Sequence, residues 1–263
     1  MNIVMTGGTS GIGFAALKHF LKQGYQVTVL ARTPDKLTIK DDKLTVIKAD
    51  LNSIKSIKEA IGIIKSTHDQ IDVLLNNAGV WSFEFSESED GIEEIFQVNV
   101  LAPILITREL VPLLKKASFP KVITTSSGLH QGKINFDDLE FRKSFSSFKA
   151  YRQSKLCEIV WTRYMSKKEP DVFWATQHPG VVNTALARTG GFFTKLFFRL
   201  FGKSPEKGAQ TLIYLTEESI DNLQTGEYYK NKKKAKTDTL ASYDLRAAPK
   251  IIQAVDKMIN EKS

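Results

Sequence analysis

The chain opens with NIVMT, an apolar run of strand length, followed at once by GGTSGIG and then by FAALKHFLKQ, whose apolar residues recur at helical spacing. A strand, a glycine-rich turn and a helix in immediate succession begin a β-α-β unit, and such a unit commits the next strand to lie parallel to the first. Gly7, Gly11 and Gly13 have no Cβ, so the turn can be tight and a ligand can come against the backbone. The helix that follows, over residues 11–23, presents unpaired N–H groups and a partial positive charge to an anion. The glycine spacing is G-x-x-x-G-x-G, not the commoner G-x-G-x-x-G, and alone it is also what a simple tight turn requires.

The alternation continues. Strands are expected over 2–6, 25–31, 44–49, 71–76, 121–125 and 172–177, with a short last one over 227–229. Helices are expected over 53–67 with Ser53 as N-cap, 91–117, 148–168 and 205–216 with Pro205 in the first turn. Pro103 and Pro112 should bend or interrupt the 91–117 helix. The pattern implies an α/β fold, a single doubly wound parallel sheet of the Rossmann type with helices on both faces. No linker or repeat divides the 263 residues, so one domain is expected over 1–263. Ligands of such sheets sit at the carboxyl ends of the strands.

Composition narrows the partners. Cys157 is the only cysteine, which excludes an intramolecular disulfide and fits a reducing, cytoplasmic setting. The first residues run directly into a strand, without the charged and long apolar regions of a signal peptide. No uninterrupted apolar run reaches the ~20 residues that span a bilayer. The net charge of +8 has its densest run at KNKKKAK, 230–236. That run is expected to be a solvated loop, and without interleaved aromatics it gives no case for nucleic-acid binding.

The chemistry-bearing residues fall at strand ends or on helices able to face them. Asp50 follows the 44–49 strand, placed to accept from an adenine amino group. Asn76 and Asn77 end another strand in NNAG; in isolation they are ordinary turn formers, and with the glycine turn they form the floor of a dinucleotide site. Ser126 and Ser127 follow the 121–125 strand in TTSSG. Tyr151 and Lys155 in AYRQSK are four apart and share a helix face. A phenol has a pKa of about 10; the lysine cation is expected to lower it by about a unit or more, making Tyr151 a proton donor and acceptor for a carbonyl/alcohol pair. Where an NAD site of this fold carries an acidic residue after the second strand, this chain has Ala31 and then Arg32. A guanidinium there suits a 2′-phosphate, so NADP(H) is favoured over NAD(H).

TGGTSGIG, NNAG, the asparagine of QVNV, the second serine of TTSSG and the YRQSK pair occur in the order found in the short-chain dehydrogenase/reductase family, which the chain resembles from about residue 2 to 229. GLHQGKINFDDL, AYRQSKL, HPGVVNT, SPEKGAQT and TGEYY resemble its retinol dehydrogenase-like branch. The resemblance implies a catalytic set of Asn99, Ser127, Tyr151 and Lys155, with Asn99 holding a water or main-chain group in a proton relay. Ser126 and His178 are then structural. It implies a cofactor site of Gly7, Thr9, Ser10, Gly11, Ile12, Gly13, Arg32, Asp50, Leu51, Asn77, Ala78, Gly79, Tyr151, Lys155, Pro179, Val182 and Thr184. It implies no metal. It also implies a substrate lid at about 185–204, where Phe193, Leu196, Phe197, Leu200 and Phe201 have helical spacing opposite Lys195 and Arg199. This segment lines a pocket for a lipophilic carbonyl compound or alcohol, or touches a membrane surface. Homo-oligomers are common in the family. The alternative function is an NADP(H)-sensing binding protein without turnover, which the same fold permits.

Overall fold

The computed structural model describes residues 1–180 and 203–262. Eight strands form one sheet: β1 (Asn2–Thr6), β2 (Gln26–Ala31), β3 (Leu44–Lys48), β4 (Val73–Asn76), β5 (Lys121–Thr125), β6 (Phe173–His178), β7 (Glu227–Lys230) and β8 (Lys233–Ala235). Their order is β3-β2-β1-β4-β5-β6-β7-β8, with β1 to β7 parallel and β8 antiparallel. The chain thus winds outward from β1 in both directions, and the cleft at the reversal opens between the C-terminal ends of β1 and β4.

Alternate residues of the central strands feed two cores. On one face Ile3, Met5, Val29, Leu75 and Ile123 pack under α1 (Gly11–Lys22) and the helix Pro205–Glu217. On the other, Val4, Leu30, Leu74, Val122 and Trp174 pack under α2 (Ile54–Thr67), α3 (Glu94–Leu114) and α4 (Ser147–Lys168). The Pro205–Glu217 helix is α5, and α6 (Ala247–Glu261) closes the second core with Ala248, Ile251, Val255 and Ile259. Ser53 caps α2 as expected, its hydroxyl accepting from Ser56 N–H.

Three expectations need correction. The 91–117 helix begins only at Glu94 and ends at Leu114; Pro112 sits inside it without interrupting it, while the α-helical run is interrupted just before Pro103. Pro103 has no N–H to give the carbonyl of Asn99 four residues back; the helix passes this point through a π turn, Gln97–Leu101. α3 is long and apolar enough to cross a membrane, but 83% of its most apolar stretch is buried, as in the core helix of a folded domain. The basic run is also no open loop. β7 and β8 pair across it as a hairpin, with Asn231 and Lys232 at positive φ (52° and 62°) as a two-residue turn of the I′ kind. The C-terminal helix α6 lies beyond the elements read from the sequence.

Candidate active site

The first turn after β1 is built for close approach. Gly7 has φ +72°, and a Cβ at Gly13 would lie 2.0 Å from the Gly7 carbonyl oxygen and 2.5 Å from Asn77 Nδ2. Asn77 explains the tightness: its Nδ2 donates to the Thr6 and Gly7 carbonyls, at 3.3 and 3.0 Å. Thr6 Oγ1 in turn accepts from the Asn77 and Ala78 amides. β1 and β4 are thereby stitched together at their C-terminal ends. Ser10 caps α1 without a side-chain bond, which leaves the first-turn N–H groups facing the cleft.

The cleft encloses about 420 Å³. Every described member of the expected cofactor set lines it, from Gly7 and Thr9 through Gly13, Arg32, Asp50, Leu51, Asn77, Ala78 and Gly79 to Tyr151, Lys155 and Pro179. Val182 and Thr184, and nearly all of the expected lid, lie outside the described residues. Thr33, Lys36 and Asn52 line the cleft beside Arg32, a group the sequence reading missed. The Asp50 carboxylate accepts from the Asn52 amide, which fixes it at the cleft wall. Asn76 differs from its expected place: it is buried and donates to Thr107 on α3, so it ties β4 to that helix and forms no part of the floor.

The catalytic candidates converge at the ends of β4 and β5. Tyr151 and Lys155, on one face of α4, are 5% and 3% exposed. Ser127 lines the cleft with Tyr151 and opposes the upward pull of burial on its phenol, and the Ser127 hydroxyl accepts from the Leu129 amide. Ser126 turns away and donates to the Lys155 carbonyl. Asn99 is fully buried in the π turn: its Oδ1 accepts from Val80 N–H at 2.8 Å, and its Nδ2 donates to the Val80 carbonyl and to Ser154 Oγ. It therefore clamps the strand end after NNAG. Gly79 lies between it and the lysine, since a Cβ there would stand 3.3 Å from both Asn99 Oδ1 and Lys155 Nζ.

One electrostatic expectation is overturned. Burial is the largest influence on Tyr151 and holds its phenol above the ordinary value; the Lys155 charge pulls the other way and is outweighed. Lys155 is not a bare cation. Its Nζ donates to Glu158 Oε1 at 2.8 Å and to the Thr125 carbonyl at 3.2 Å. Desolvation pushes the Glu158 carboxyl up to about 7. Glu158 escapes a motif search but stands three residues from Lys155, a spacing that puts both on one helix face. Trp81 is the other omission. Its ring stacks on Tyr151 at 4.5 Å and 12°, and its Nε1 donates to Ser147 Oγ, so it fixes the plane of the phenol.

His178 ends β6, accepts from the Gly128 amide through Nδ1 and stacks on Tyr228. Burial and the nearby Lys230 push its imidazole down to about 4. Its charged form is thereby disfavoured; Cys157 is fully buried and its thiol is pushed up. Among the described residues no cluster of His, Cys, Asp and Glu could hold a metal.

A family model described as short chain dehydrogenase matches residues 1–189. The chain belongs to the short-chain dehydrogenase family. Mouse retinol dehydrogenase 13 is 33% identical to this dehydrogenase over 249 residues, covering 86% of the chain and 74% of the relative, which puts the chain in the retinol dehydrogenase-like branch. Two solved structures share the dehydrogenase fold. A 3-ketoacyl-(acyl-carrier-protein) reductase from Brucella melitensis complexed with NADH has TM-score 0.69 at 20% identity, over 88% of this chain and 96% of that one. NADPH-bound carbonyl reductase from chicken fatty liver has TM-score 0.67 at 22% identity, over 90% and 98%. The short-chain dehydrogenase is therefore an oxidoreductase of a nicotinamide-cofactor family.

Proposed function

We propose that the protein moves a hydride between NADP(H) and the carbonyl or alcohol carbon of a lipophilic small molecule, with Tyr151 as the proton donor and acceptor. The observation that carries this is the buried Tyr151 phenol beside Ser127 and Lys155, in a cleft that begins at a glycine turn too tight for a Cβ. That turn and the uncapped start of α1 fit a pyrophosphate. Bound nicotinamide would supply or take the hydride. Tyr151 gives its proton to the carbonyl oxygen in reduction and receives it in oxidation. Ser127 hydrogen-bonds the same oxygen. Lys155 stabilises the phenolate that reduction leaves behind, and Asn99 keeps the Val80 main chain, and so the cleft wall, in place.

Two features support the finer parts. Arg32 follows β2 and lines the cleft with Thr33 and Lys36, two cations and a hydroxyl where a ribose 2′-phosphate would need them. At the mouth, Trp81 stacks on Phe83 at 5.5 Å and lies beside Phe148, and both phenylalanines are exposed. An aromatic wall of this kind favours an apolar substrate. The test is the ratio of kcat/KM for NADPH and NADH in wild type and R32A. Losing one charge-assisted contact, on the order of 1.5–3 kcal/mol, lowers the NADPH value roughly 10- to 100-fold and leaves the NADH value near its starting level. An NADH preference in wild type refutes the NADP(H) assignment.

A further inference from the structure

Glu158 has no part in the proton transfer just described, yet it is the carboxylate paired with the lysine that does. It is 3% exposed, its Oε1 holds Lys155 Nζ at 2.8 Å, and its Oε2 has no hydrogen-bond partner among the described residues. The nearby Ser126 hydroxyl already gives its proton to the Lys155 carbonyl. A buried ion pair of this sort adds little net stability over apolar side chains of similar volume, so packing alone does not account for a carboxylate at this point. Its place does. The Lys155 Nζ that it holds stands 5.6 Å from the centre of the Tyr151 ring.

We propose that Glu158 is a positioning residue of the reaction: it anchors the Lys155 ammonium beneath the cleft and, by offsetting that charge, sets how readily Tyr151 gives up its proton. The inference rests on the assignment of Tyr151 as proton donor. With Lys155 alone, a cation beside the phenol would favour the phenolate strongly. With Glu158 ionised, the pair is close to neutral, and the phenol keeps its proton until a substrate oxygen takes it. Lys155 is the charge facing Glu158; Tyr151 and Cys157, on the same helix, are the other titratable groups that feel it, and the end of β5 contributes the Thr125 carbonyl, with the uncharged Ser126 just beyond it.

The test has one readout without cofactor and one with it. In cofactor-free protein, tyrosinate absorbance is titrated in pairs with and without the Y151F change, so that the difference isolates the Tyr151 step from the other six tyrosines of the seven. In E158Q that step moves down by about one pH unit or more, the usual scale for a neighbouring charge. In E158D, which keeps the charge one methylene further back, it lies between the two. The acid limb of kcat/KM for alcohol oxidation moves the same way. A Tyr151 step in E158Q at the same pH or higher, or none below the pH of unfolding, overturns the proposal. So does a fall in kcat with an unmoved pH profile, the mark of a merely structural role. If E158Q does not fold, E158D carries the same test. Absence of turnover in wild type would defeat the hydride-transfer reading instead and leave the absorbance experiment standing.

Discussion

Two glycines in helices, changed to the same residue, should move stability in opposite directions. Gly62 lies in the middle of α2, exposed, and a Cβ there meets nothing within 4 Å. G62A therefore gains only the helical preference of alanine, ~0.5–1 kcal/mol. G13A gains the same preference in α1 but drives its methyl to 2.0 Å from the Gly7 oxygen and 2.5 Å from Asn77 Nδ2. The turn must open. Overpacking costs ~1–3 kcal/mol, and the two bonds from Asn77 Nδ2 to the Thr6 and Gly7 carbonyls, at ~1 kcal/mol each, are lost or stretched. After the alanine gain the net loss is ~2–4 kcal/mol. At ~2–4 °C per kcal/mol for a domain of this size, thermal unfolding followed by circular dichroism should show Tm up by about 1–4 °C in G62A and down by roughly 5–15 °C in G13A. NADPH fluorescence should show weakened binding in G13A alone. If the two variants matched in Tm and in NADPH affinity, the idea that β1 and β4 are stitched around a space reserved for a ligand would be wrong.

The neutral state of His178 gives a pH signature. Its folded pKa is depressed from 6.5 to about 4, so its contribution to stability is present above pH 6.5 and lost as pH falls through that window. H178N, whose side-chain oxygen can still accept from the Gly128 amide, should flatten the wild-type loss of stability between pH 6.5 and 4 by at most about 3 kcal/mol; parallel denaturation curves would refute the assignment. Lys121, at the other end of the sheet from the cleft, is 5% exposed and donates to the carbonyls of Leu215, Thr216 and Glu218 at the end of α5. K121M should destabilise by ~3 kcal/mol in urea unfolding, since those carbonyls lose a charged donor, and leave kcat unchanged; a kcat defect would show that the two ends of the sheet are coupled.

The strands were legible because both faces of the sheet are covered, so the VLL of β4 and the VITT of β5 are apolar or β-branched, and glycine and asparagine punctuate the strand ends. The cleft was legible because its lining comes from strand ends, where position follows from topology. What the sequence withheld depends on burial. Tyr151 and Lys155 were found from their spacing, but their balance of charge was not, because desolvation and the third member, Glu158, are properties of packing. The hairpin in the lysine run was hidden by composition: strand β8 exposes Lys233 and Lys234 at the sheet edge, where charge is common. Helix α6 carried a readable signal in Ile251, Val255 and Ile259 at i, i+4 and i+8, and this spacing is the face that packs on the core. The π turn at Asn99 was marked by Pro103, whose missing N–H predicts a disturbance there but not that the helix continues through it.

The most direct test of the account is hydride transfer by Y151F. The phenylalanine keeps the stack on Trp81 and removes only the phenol hydroxyl, so the fold and NADPH binding should persist. Single-turnover reduction of a lipophilic ketone, followed by NADPH absorbance, should slow by roughly 10²–10⁴-fold, the usual contribution of a positioned proton donor. Turnover at the wild-type rate in Y151F would contradict it.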